Sequence, residues 1–112
     1  MRSVLFIIQS DPRMSGRPAE AIRIASGLAA WEKVDVAVYL RGAAVLILGE
    51  DAEELVDGDN YTRYLPALRE SGRALSVQQN APGLNQAQTS VKEISDGQLA
   101  ELASARDCVL RF

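Results

Sequence analysis

The sequence predicts an α/β protein, a three-layer α/β/α sandwich around a five-stranded parallel sheet of flavodoxin-like architecture. Three observations predict it. Short β-branched apolar runs such as SVLFIIQ and VDVAVYL have the length and composition of strands covered on both faces. Between them lie helix-length stretches with apolar residues at helical spacing, and strands joined by such crossovers pair in parallel. The chain has 112 residues, the size of one domain, so residues 1–112 are read as a single unit.

The elements follow in order. Residues 3–9 are the first strand, and SDPRMSG after them is dense in turn formers. RPAEAIRIASGLAAWE is a helix: Ala19, Ile22, Ala25, Leu28 and Ala29 share a face, and Pro18 suits the first turn. Gly27 inside it costs about 1 kcal/mol relative to alanine, which points to close packing on the sheet. Residues 34–40 form the second strand. AAVLIL is a short helix ended by Gly49, and the acidic EDAEELVDGDN carries at most a helical turn. Residues 61–70 form a helix capped by Asp59 or Asn60 and stopped at Ser71-Gly72. Residues 74–79 are the third strand, NAPGLNQAQTS a loop, and residues 91–94 a short fourth strand. Ser95 and Gln98 make a capping box for a helix to about Ser104, and residues 107–112 are the fifth strand.

Composition excludes several kinds of chemistry. The chain has no histidine and one cysteine, which removes Ser-His-Asp and Cys-His catalysis and leaves no ligand set for zinc or an iron–sulfur cluster. One cysteine forms no internal disulfide. A net charge of −3 without a basic run gives no electrostatic footprint for nucleic acid. The apolar run at the start is too short for a signal peptide, and no stretch is long enough to span a bilayer. The expectation is a soluble, cytoplasmic protein without metal or cofactor.

In a parallel sheet ligands sit outside the carboxyl ends of the strands. Those ends supply the candidate ligand-binding residues Arg13, Arg17, Arg41, Gln78, Gln79 and Asn80. Arg13 and Arg17 flank a helix start, where free N–H groups and the helix dipole favour an anion. The loop has neither phosphate-binding glycine fingerprint, so a plain solvated loop is the competing reading. Arg41 ends the second strand, where a surface salt bridge is the alternative role. The acidic run at 51–59 lacks calcium-loop spacing and reads as a solvated face. Tyr61 and Tyr64 lie three apart on one helix face and read as packing rather than a cofactor stack. Cys108 lies inside a short apolar strand, where a thiol is desolvated and inert, so it reads as core.

SVLFIIQSDP, RPAEAIRIASGLAAWEKVDVAVYLRGAAVLIL and YLPALRESGRALSV together resemble the DsrE/DsrF-like family of small sulfur-relay proteins, over essentially the whole chain. The resemblance implies a DsrEFH-like sandwich and assembly into trimers or hexamers, of one chain or with paralogous subunits. It also implies a persulfide-bearing cysteine just after the third strand in active members. Here that stretch is LSVQQNAPG, and Gln78, Gln79 and Asn80 stand where the thiol would be. None of them forms a thiolate. The chain therefore resembles the members without the cysteine, and the expected function is a non-catalytic, oligomeric binding or scaffold subunit. Two alternatives remain: a binder of a nucleotide or small anion, and a sulfurtransferase or sulfur carrier working through Cys108.

Overall fold

The runs with the strongest β signal form the middle of the sheet. In the computed structural model, which describes residues 1–70, 74–81, 84 and 91–112, the strands are β1 (Arg2–Ile8), β2 (Val34–Leu40), β3 (Ala74–Gln78), β4 (Lys92–Ile94) and β5 (Cys108–Arg111). They make one five-stranded sheet in the order β4-β3-β2-β1-β5, and every pair is parallel. The expected α/β architecture is present. β1 and β2 pair along their whole length, Arg2 opposite Val34 through Ile8 opposite Leu40.

The period of two divides the side chains between two cores. Phe6 and Ile8 of β1, Val34, Val36, Val38 and Leu40 of β2, and Val77 of β3 face one layer. That layer contains α1 (Arg17–Ala30) and α2 (Asp59–Glu70). Leu5, Ile7, Ala37, Tyr39 and Ile94 face the other, where α3 (Asp96–Ser104) lies against them with Leu99, Leu102 and Ala103. Burying a side chain such as Ile22, fully enclosed on α1, contributes about 1.5–3 kcal/mol.

The local signals are resolved in detail. Ser95 accepts from the Gln98 N–H while the Gln98 side chain accepts from the Ser95 N–H, so the predicted capping box starts α3. Pro18 stands in the first turn of α1. AAVLIL becomes a 3-10 helix, Gly42–Leu48, that ends at Gly49 in an extended rather than a left-handed conformation. A second 3-10 turn, Ala52–Glu54, follows. α2 begins earlier than expected. Asp59 and Asn60 lie inside its first turn rather than capping it: the Gly58 carbonyl already accepts from the Tyr61 N–H at 3.0 Å, and the Asn60 side chain donates to the Ala19 carbonyl of α1 at 3.3 Å. The stop at Ser71-Gly72 and most of the loop before β4 lie outside the described residues.

Gly27 is not a packing glycine. It faces solvent, and a Cβ there would meet nothing within 4 Å. Cys108 is not core either. It is exposed, because β5 is an edge strand whose flanking Val109 and Leu110 are only partly covered.

Candidate functional site

The sheet order reverses between β1 and β5, and the crevice outside that switch point is the first place to seek a ligand. Here the chain fills it. The Gln9 and Ser10 N–H groups both donate to the Phe112 carbonyl oxygen, at 2.8 and 3.2 Å. The Phe112 ring stacks on Phe6 with centroids 5.8 Å apart. Arg17 lies over the outer face of that ring, 5.9 Å from its centroid, and donates to the Arg111 carbonyl at 3.3 Å.

Arg13 does not join Arg17. It turns back on Asp11 in a two-pronged pair, Nε to Oδ1 at 3.0 Å and Nη2 to Oδ2 at 2.8 Å. The hydrogen bonds from Arg13 hold the Asp11 carboxyl below its usual range. The guanidinium is thereby neutralised. The first loop thus offers an anion one partly engaged arginine, and the α1 terminus has no side-chain cap.

Arg41, Gln78, Gln79 and Asn80 form the second group, at the carboxyl ends of β2 and β3. Gly42 adopts a left-handed φ of +57°, a conformation that favours glycine. Its N–H donates to Gln78 Oε1 at 2.9 Å, which ties the end of β2 to the end of β3. The Gln79 N–H donates to the Ile94 carbonyl at 3.1 Å, and that of Ala81 to the Gln78 carbonyl at 3.2 Å. Asn80 is left-handed at φ +59°, with its N–H 3.4 Å from Glu93 Oε1. Asparagine tolerates this conformation better than most residues. Gln78 and Gln79 line a small polar cleft of about 110 Å³ with Ile94, Ser95 and Asp96. Arg41 stands near its rim, 3.7 Å from Asp96 Oδ1.

Beneath lies Tyr39, fully buried, with a hydroxyl that has no hydrogen-bond partner. Burial raises its pKa, with Arg41 opposing and Asp96 adding to the effect. Sequence patterns mark neither Tyr39 nor Asp96 as site residues, and they mark Ser95 only as a helix cap. Tyr39 could have been found as the one polar-tipped side chain in an otherwise apolar strand end. Asp96 becomes relevant only once β4 is placed beside β3.

The cleft can hold a small polar group through side-chain amides and a guanidinium. It brings, among the described residues, no thiol, and its one hydroxyl, on Ser95, accepts from the Gln98 N–H as the helix cap. Among the described residues no three His, Cys, Asp or Glu side chains gather where they could hold a metal ion, and no helix is long and apolar enough to cross a membrane. Cys108 sits at the other end of the sheet. It is opposite Val4 near the start of β1, whereas the cleft lies beyond the strands' carboxyl ends.

The chain shares its fold with the YchN protein of E. coli, whose crystal structure superposes with a TM-score of 0.79 over 100% of both chains at 20% sequence identity. At that identity the likeness is one of fold, and it agrees with the expected α/β/α sandwich around a five-stranded parallel sheet. No protein-family model matches the chain, and comparison with curated proteins finds no match.

Proposed function

We propose that this chain is a non-catalytic DsrE-like subunit, a cytoplasmic binding or scaffold protein of the sulfur-relay type that works as a trimer or hexamer of itself or with paralogous subunits. The observation that carries the reading is the run after β3. Where the resemblance places a persulfide-bearing thiol, the chain presents Gln78, Gln79 and Asn80. The Gln78 side chain accepts from the Gly42 N–H, and the Gln79 and Asn80 N–H groups donate to the Ile94 carbonyl and the Glu93 carboxylate. Amides held this way bind and position; they do not carry sulfane sulfur. Unburied apolar surface supports assembly. α3 buries none of its residues fully, and Met14 and Trp31 stand in solvent.

The exposure of Cys108 favours a second reading, a sulfur carrier acting through β5. One experiment separates the two. The chain is incubated with a low-molecular-weight persulfide, and sulfur uptake is followed by intact mass beside Cys108→Ala and beside the urea-unfolded chain. The binding reading expects Cys108 to gain sulfur no faster when folded than when unfolded, as an ordinary exposed thiol does. Uptake about tenfold or more faster in the folded chain would mean that the fold activates the thiol, and would overturn it.

A further inference from the structure

The two edges of the sheet are built differently. β4 is three residues long and carries the exposed charges of Lys92 and Glu93, features that keep an edge from pairing. β5 carries Cys108, Val109 and Leu110, with no proline and no lysine. Such an edge presents unpaired N–H and C=O groups, a template for another strand.

Which groups are free follows from the register. The Phe112 N–H donates to the Ile7 carbonyl at 2.9 Å, and the Phe112 carbonyl accepts from the Gln9 N–H at 2.8 Å, so Phe112 turns both backbone groups toward β1. With a period of two, Cys108 and Leu110 do the same, while Val109 and Arg111 turn theirs away from the sheet. The trans peptide that points the Cys108 N–H inward points the Asp107 carbonyl outward. At the ends the chain satisfies itself in part: the Asp107 N–H donates to the Ser3 hydroxyl at 3.1 Å, and the Arg111 carbonyl accepts from Arg17 at 3.3 Å. That leaves the Val109 N–H and carbonyl, the Arg111 N–H and the Asp107 carbonyl for a partner.

The charges around Val109 are self-complementary. Asp107, Val109 and Arg111 fall on one face of the strand, the face where Val109 packs beside α3. About a two-fold axis through Val109, Asp107 stands opposite the partner's Arg111 and Arg111 opposite the partner's Asp107, so acid meets base at both ends. Both Ser3 bonds to the Asp107 carboxylate use Oδ2, which leaves Oδ1 to accept. None of the ion pairs among the described residues engages Arg111. The outward hydrogen-bonding groups also permit an axis at Cys108 or Leu110. There Asp107 or Arg111 would face the partner's Val109 instead, so the charges select Val109.

We infer that β5 docks a second copy of this chain, antiparallel about a two-fold through Val109, with Asp107–Arg111 pairs at both ends and the two sheets joined into one. A hexamer can contain this two-fold and a trimer alone cannot. The pairing does not depend on the role given to the β3 cleft. The strand contact is short, so its dissociation constant is expected at about 10–100 µM.

The test is oxidative cross-linking at about 200 µM. Residues opposite each other in a hydrogen-bonded antiparallel pair lie about 5.5 Å apart at Cα, within disulfide reach. In this register Cys108 faces the partner's Leu110, and the two Cys108 Cα atoms are about 8 Å apart, beyond that reach. The Cys108→Ala, Val109→Cys chain is expected to form a linked dimer about tenfold faster than the wild type, and Arg111→Asp in that background to slow linking about tenfold. Equal or faster linking of the wild type through Cys108 would overturn the assignment, as would a rate that Arg111→Asp leaves unchanged. Hydrogen exchange of the wild type needs no substitution. The outward Val109 amide is expected to exchange about fivefold more slowly at about 500 µM than at about 5 µM. Exchange independent of concentration would overturn the pairing.

Discussion

On one face of the sheet, α1, α2 and the 3-10 segment enclose Phe6, Ile8, Val36, Val38, Leu40 and Val77 so completely that Ile22, Ala25 and Val45 have no exposed surface. On the other, α3 is the one helix among the described residues that covers Leu5, Ile7, Ala37, Tyr39 and Ile94, with contacts from the half-buried Leu99, Leu102 and Val109. β1 and β2 contribute apolar side chains to both faces, whereas β3 gives Val77 and Leu75 to the first and the polar Ser76 to the second. The difference also comes from the connections. Two long crossovers serve the first face, whereas α3, nine residues long, serves the second. A face covered by one short helix keeps apolar surface for something else, and the polar cleft with the orphan Tyr39 hydroxyl lies on this less finished side.

The sharpest way to break this comparison is truncation. Ile22→Ala or Leu68→Ala on the enclosed face is expected to cost about 2–5 kcal/mol in urea unfolding, and Leu99→Ala or Leu102→Ala about 1 kcal/mol in the monomer. Equal losses would show the two faces to be equally packed. Next in size, Ser95→Ala removes the cap that orders α3 and is expected to cost about 1 kcal/mol. A loss close to zero would mean that packing alone holds this helix.

Gly27→Ala probes the outer side of α1, where space is open. It is expected to stabilise the chain by about 0.5–1 kcal/mol, read as a higher melting temperature. The smallest effect concerns pH. The Asp107 carboxylate accepts from the Ser3 N–H at 2.8 Å and from the Ser3 hydroxyl at 3.2 Å, tying β5 to β1. The backbone bond, then the side-chain bond, hold its pKa below 3.8. A carboxyl lowered by folding adds stability that is complete well above 3.8 and fades as the pH falls through the folded value. Asp107→Asn should therefore flatten the fall of melting temperature in that acid window and leave the slope near neutrality unchanged.

Most of the architecture was legible because it rests on local patterns. The apolar runs of β1 and β2, the capping box of α3 and the proline start of α1 are all short-range signals, and each appears where the residues put it. What was not legible depended on neighbours in space. Cys108 looked internal because Val109 and Leu110 follow it, but strand order puts β5 at an edge. Gly27 looked like a packing glycine, yet helical phase turns it to solvent. Asn60 looked like a cap for α2, yet its side chain bonds Ala19, a partner far away in sequence. Of the candidate site, the cluster of Gln78, Gln79 and Asn80 with Arg41 could be read from strand ends alone. The pairing of Arg13 with Asp11 and the filling of the switch point by Phe112 could not.

If the chain works as proposed, as a subunit of an assembly, its mass in solution tests that most directly. Sedimentation velocity from about 1 to 100 µM would read it, since an assembly follows mass action. The account predicts a trimer or hexamer at the upper end of that range. A monomer at every concentration would contradict it.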